Sequence, residues 1–220
     1  MTDKYDLIRR ELQNTDVTLI AVSKTRSAEE IEALYEKGQR HFGENRVQEL
    51  QTKVDVLPKD ICWHLIGHLQ KNKVKYIAPY IHLIHSVDSM DLLLEINKRA
   101  AQNNRIIPCL LQVHIASEET KFGFNREELI ELLDNRSPDD LMNVEIAGLM
   151  GMATFTEDAE VIKNEFNGLH NLFDDIKARY FKNNSSFNTL SMGMSSDYEI
   201  AIECGSNMIR VGTLIFGPRK

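Results

Sequence analysis

Lys24 closes an apolar run, Leu19-Ile-Ala-Val-Ser-Lys24, and Thr25-Arg-Ser-Ala-Glu-Glu30 after it reads as a helix start. A lysine at the C-terminal tip of a buried strand sits against apolar walls that disfavour its ammonium form. The neutral amine is what a Schiff base with a carbonyl compound needs. Position alone favours a plainer reading, the first solvated residue after a strand. Two later segments shift that balance. Ser191-Met-Gly-Met-Ser-Ser-Asp197 and Arg210-Val-Gly-Thr213 each set glycine and hydroxyls just before a possible helix, as an anion cradle requires. Singly, each also fits an ordinary turn and cap. Together, opposite Lys24, they point to a phosphorylated carbonyl ligand.

Strand-like runs alternate with amphipathic helical runs along the whole chain. The patterning predicts a leading helix over Asp3 to Gln13, then strands over Val17–Lys24, His41–Glu44, Trp63–Gly67, Ile81–Ser86, Pro108–Ile115, Glu145–Met150, Thr189–Met192 and Met208–Val211. Helices are expected from Ser27, Arg46, Gln70, Ser89, Asn125, Thr156 and near Tyr198, with none after the last strand. Eight β–α units joined by short crossovers predict an α/β fold, a single (β/α)8 TIM barrel over residues 1–220. An open doubly wound sheet is disfavoured because no Gly-x-Gly-x-x-Gly follows the first strand. In a barrel the strand tips converge on one face. They bring there Lys24, Glu44, Asn45, Gly67, His68, Ser86, Asp88, His114, Gly151, Ser191, Met192, Gly193, Ser195, Arg210, Gly212 and Thr213. Barrels commonly bind phosphate after strands seven and eight, where the two cradle segments fall.

The chain has 220 residues and a net charge of −7, with 42% hydrophobic residues. It carries no basic run to follow a nucleic-acid backbone, no apolar run of membrane-spanning length and no signal peptide, so a cytoplasmic protein is expected. Cys62, Cys109 and Cys204 are scattered without metal-ligand spacing and read as buried free thiols. His64 reads as a core or rim histidine. His82 and His85 flank the fourth strand without the carboxylate spacing of a ligand set, so no metal is expected. Met150, Met152, Met192 and Met194 read as packing around the barrel mouth. Lys71, Lys73 and Lys75 read as solvated. Glu118 to Phe124 reads as a loop or lid after the fifth strand, and Asp197 as a cap for the helix near Tyr198.

Several segments together resemble the pyridoxal phosphate homeostasis proteins, also called the proline synthetase co-transcribed family. They are Ala21-Val-Ser-Lys24 with His41-Phe-Gly-Glu-Asn-Arg-Val-Gln-Glu49, and, most specifically, Trp63-His-Leu-Ile-Gly-His-Leu-Gln-Lys-Asn-Lys-Val-Lys-Tyr-Ile77. His85-Ser-Val-Asp88, Glu119-Thr-Lys-Phe-Gly-Phe124, Gly148-Leu-Met150, Leu190-Ser-Met-Gly-Met-Ser195 and Ile209 to Gly217 agree in order and spacing. The resemblance implies a barrel similar to the N-terminal domain of alanine racemase, with pyridoxal 5′-phosphate held on Lys24 as a Schiff base. It implies that Ser191 to Ser195, Met192 and Gly193 included, and Arg210, Gly212 and Thr213 hold the phosphate, with Asn45 beside the ring. Arg210 is left between the ring nitrogen and the phosphate. Two positions depart from the family pattern: His114 stands where asparagine is usual, and Gly151 where threonine is usual. Both are expected to face the mouth.

The resemblance further implies a non-catalytic carrier or regulator that buffers the cofactor and delivers it to apoenzymes. An amino-acid racemase is the alternative. Racemases of this fold add a β-rich domain, which the stretch after Gly217 is too short to build, so a monomer without racemase chemistry is expected. Tyr198 is expected to pack rather than act as a base. A sugar-phosphate aldolase is disfavoured because such barrels place their lysine on a later strand.

Overall fold

The computed structural model describes residues 2–117, 122–135 and 141–218; Glu118 to Lys121 of the fifth-strand loop lie outside that range. Eight parallel strands close into a barrel in sequence order: β1 Thr18–Val22, β2 His41–Glu44, β3 Cys62–Leu65, β4 Leu83–Val87, β5 Ile107–Val113, β6 Val144–Gly151, β7 Thr189–Ser191 and β8 Met208–Val211. The helices are α1 Thr2–Glu11, α2 Ala28–Glu36, α3 Val47–Val56, α4 Val74–Ile77, α5 Met90–Gln102, α6 Arg126–Asp134, α7 Ala159–Tyr180, α8 Tyr198–Glu203 and α9 Thr213–Phe216. The sequence expectation of eight β–α units holds. The short α9, which packs against α1, was not expected. Local chemistry sets the starts. Ser27 with Glu30 and Asn125 with Glu128 form capping boxes at α2 and α6, and the Asp158 carboxylate caps α7.

Apolar residues divide into two cores. The larger lies between barrel and helices, where Leu19, Ala21, Phe42, Trp63, Leu65, Leu111, Leu149, Ile209 and Val211 meet the buried helix faces. The smaller fills the barrel: Ile20, Leu83, Leu110, Ala147, Met150 and Met208. Register shows what shares that interior with them. Residues side by side on parallel strands point the same way. Arg210 lies beside Ile20, His64 beside Leu83, and Ser191 beside Met208, so all three side chains enter the barrel. Barrel interiors are usually layers of branched aliphatics. This one is polar through its middle.

β6 breaks the alternation. Cys109 pairs with Ile146 and Leu110 with Gly148, leaving Ala147 as an extra residue. The bulge turns Ala147 and Met150 inward, and Gly151 outward beside Val113. A Cβ on Gly151 would lie 2.6 Å from Leu169 Cδ2 and 2.9 Å from Ile115 Cδ1. Position 151 therefore faces α7 and not the mouth, which corrects the sequence expectation. Glycine at 148 permits the bulge, because its φ is +152° and a Cβ there would stand 1.8 Å from the Thr189 carbonyl oxygen.

Candidate functional site

Lys24 stands two residues past β1, half-buried, on a turn in which the Ser23 carbonyl accepts from Arg26 N–H. Thr25 adopts φ +65°, a costly conformation for a β-branched residue. A buried network imposes it. Lys53, 6% exposed, donates to Ser23 O at 2.8 Å, Glu44 Oε1 at 2.7 Å and Glu49 Oε1 at 2.7 Å. Ser23 Oγ donates to Glu44 Oε1 at 2.6 Å, and Glu49 Oε1 accepts the Thr25 N–H. Both residues flanking Lys24 are thereby anchored from beneath. Burial holds the Glu44 carboxyl above the usual range, outweighing the attraction of Lys53, and its Oε2 has no hydrogen-bond partner among the described residues.

On the neighbouring strand β8, Arg210 is 4% exposed and donates to Ser191 Oγ at 2.6 Å and Gly151 O at 3.0 Å. Among the described residues it has no carboxylate in ion-pair range. Burial lowers its pKa to about 10, against the pull of Asp197, so it stays a cation at neutral pH. A guanidinium has more N–H donors than these two bonds use. Below Arg210 runs a line of rings. Ser191 Oγ meets His85 Nδ1 at 3.1 Å, His85 Nε2 meets His64 Nδ1 at 2.9 Å, and His64 Nε2 meets His41 Nδ1 at 2.9 Å. Burial, with Arg210 beside His85 and His85 beside His64, pushes both buried rings well below the ordinary histidine value. They are neutral, each giving one nitrogen as donor and the other as acceptor.

The strand-seven and strand-eight tips meet as the cradle requires. Ser195 Oγ accepts Gly212 N–H at 3.2 Å, and Asp197 accepts Met194 N–H. Gly193 has φ +95°, and a Cβ there would lie 2.6 Å from Ala201 Cβ; one on Gly212 would lie 3.1 Å from Val22 Cβ. The backbone is thus bare at both points. Thr213 opens α9 and is exposed, as its N–H and hydroxyl must be to meet a ligand. Met192 differs. Its side chain is fully buried in the outer core, so only its backbone is available to a ligand. Asn45 follows β2 with its backbone against Gly67, beside a cleft of roughly 470 Å³ shared with Arg46, His68 and Lys73. His68 Nδ1 meets Asp88 Oδ2 at 3.0 Å, and its ring stacks on Phe122 from the β5 loop at 4.2 Å. Tyr198 is buried and donates to Glu11 and Glu199. Burial and those carboxylates raise its pKa, so it packs and ties α8 to α1.

Residues 1–220 match the family described as alanine racemase, N-terminal domain. A pyridoxal phosphate homeostasis protein of Aquifex aeolicus is 43% identical over 203 residues, covering 92% of this chain and 87% of that one. The chain belongs to the pyridoxal phosphate homeostasis protein family. PipY of Synechococcus elongatus, solved with PLP bound, superposes with a TM-score of 0.87 at 36% identity, covering 98% of this chain and 99% of that one. Alanine racemase of Bartonella henselae shares the fold at a TM-score of 0.74 and 20% identity, covering 97% of this chain and 60% of that one.

In this family member, sequence reasoning reached the strand tips but missed what holds them. Lys53 looks like a solvated helix residue, and nothing local marks it as the anchor of the Lys24 turn. His85 was expected at the edge of the fourth strand and lies inside it, fully buried. The expectation for His64, a satisfied core histidine, holds.

The buried rings set an acid limit on stability. Their native pKa values lie below the unfolded value, so unfolding takes up protons as pH falls below the ordinary histidine range. Stability is full above that range and decreases through it, by up to about 1.4 kcal/mol per pH unit for each group. The urea midpoint should fall between about pH 7.5 and pH 5, and His85→Gln should flatten the slope. A wild-type midpoint constant over that interval would contradict neutral rings.

Proposed function

We propose that this chain binds pyridoxal 5′-phosphate, with Lys24 carrying it as a Schiff base, and serves to buffer and deliver that cofactor inside the cell. The observation that carries the reading is a half-buried lysine at the β1 tip with, on the adjoining strand β8, a buried guanidinium that has no carboxylate in ion-pair range among the described residues. The residues fit the cofactor. Ser195, Gly193, Gly212 and Thr213 supply hydroxyls and bare backbone for a phosphate at the β7–β8 rim. Arg210 enters the barrel below that rim, tied to Ser191, which favours the ring nitrogen over the phosphate as its partner. Asn45 stands at the β2 tip for the ring's side, and His114 at the end of β5.

When bound, the cofactor supplies an aldehyde and an electron-withdrawing ring. Arg210 remains protonated and donates a hydrogen bond without yielding its proton, which leaves a ring nitrogen unprotonated and the ring a weak electron sink. Tyr198 is committed to two carboxylates and offers no base. Both points support a non-catalytic carrier over a racemase. We take the protein to be a cytoplasmic, monomeric, single-domain barrel whose partners are apoenzymes that need the cofactor. No helix among the described residues is long and apolar enough to cross a membrane.

Titration with pyridoxal phosphate, followed in the visible spectrum, then by borohydride reduction and peptide mapping, tests the reading. One saturable band with the reduced label on Lys24 is expected. A label spread over surface lysines would end it.

A further inference from the structure

We propose that His41, Cys62 and His82 form a Zn(II) site at the N-terminal rim of the barrel, the end opposite Lys24. One ligand atom from each of the three residues lies within 4.8 Å of the others, a convergence not repeated by any other His, Cys, Asp or Glu group among the described residues. The fold creates it. His41 opens β2, Cys62 opens β3 beside it in register, and His82 directly precedes β4, its N–H donating to Trp63 O. Three neighbouring strands thus begin on three donors. Their sequence spacing, 21 and 20 residues, follows the β–α repeat and so hides the cluster from any ligand motif.

Two imidazoles and a thiolate form a borderline-soft set that suits zinc better than magnesium or calcium. Support for the ligands is already built. Metal-bound histidines nearly always have their second nitrogen engaged. His41 Nδ1 meets His64 Nε2 at 2.9 Å, and His64 is fully buried and held in turn by His85, so His41 has Nε2 to offer the metal. The rings of His41 and His82 stand edge to face, 5.5 Å between centroids. His82 is exposed and the other two are partly so, which gives an ion an entry path and leaves a fourth position for water. Asp60 lies near the thiol and Arg105 near His82. Asp60 is engaged by Tyr35 and Arg40, and Arg105 by the Ala78 and Ile81 carbonyls, so neither charge occupies the site.

The full chain, stripped with a chelator, should bind one equivalent of Zn(II) by calorimetry. Co(II) in its place should give the intense near-ultraviolet band of a thiolate ligand and the visible bands of tetrahedral cobalt. Cys62→Ser should abolish the thiolate band, and His82→Asn should weaken Zn(II) binding by more than about tenfold. Both variants should keep the wild-type circular dichroism and pyridoxal phosphate spectrum, since they lie at the other end of the barrel. No stoichiometric binding, or binding equally strong in both variants, would overturn the site. A cofactor spectrum absent from wild type would fail the functional reading and leave this one standing.

Discussion

Lys24→Ala is expected to abolish the saturable cofactor band and the borohydride-fixed label while the protein still folds. The amine can bond covalently to an aldehyde, and it stands at the tip of β1. Lys53, which supports the same turn, is committed to donor bonds to Ser23, Glu44 and Glu49. Stability should change by less than about 1 kcal/mol, because Lys24 is half-buried on a turn held by its neighbours. Lys24→Arg separates covalent chemistry from charge: it keeps a cation near the mouth and should also lose the band. Non-covalent retention should persist in both variants, since Arg210 and the β7–β8 rim are untouched. Mass spectrometry of reduced, digested protein reads the label directly. An undiminished band in Lys24→Ala would move the Schiff base elsewhere and sink the assignment.

How much of this was legible in the sequence depends on the range over which each feature is determined. The β2 and β8 bounds, His41–Glu44 and Met208–Val211, came out as expected because short apolar runs between turn residues are local signals. The tip positions of Lys24, Asn45, Ser195 and Gly212 followed from the barrel alone, since every tip of a closed parallel sheet faces the same way. The outward turn of Gly151 did not follow. One extra residue at Ala147 reverses the parity downstream, and its local trace is a glycine with positive φ. The ring line from His41 through His64 to His85 was hidden for a different reason. Its members lie on three strands and meet through inter-strand register, which the sequence does not display. Met192 shows the reverse limit: a matching motif position says nothing about which way its side chain points.

The second large effect is expected at Lys53. Lys53→Met should destabilise the fold by about 3–5 kcal/mol at neutral pH, because it leaves the fully buried Glu44 without its cation. Among the described residues Glu44 Oε2 already lacks a hydrogen-bond partner, and Oε1 would keep only Ser23. Burial already raises this carboxyl, and losing Lys53 removes the attraction that opposes it. A carboxyl whose native pKa is raised contributes stability that is present below its unfolded value and is lost as pH rises through the native one. The defect should therefore be smallest in mild acid and grow toward neutrality, opposite in sign to the histidine effect. Glu44→Gln in the Lys53→Met background should recover part of the loss, since a neutral amide costs less to bury than an unpaired carboxylate. Urea unfolding of the single and double variants gives the coupling energy. A single-variant loss under about 1 kcal/mol, or no recovery in the double variant, would mean water reaches Glu44 and the network is not buried as described. The same variant bears on the site. Without Lys53 the Ser23 carbonyl loses its 2.8 Å donor and Glu49 loses the cation that holds it against Thr25, so the strained turn carrying Lys24 should relax. Cofactor uptake in Lys53→Met should be slower and weaker than in wild type even where the variant is fully folded.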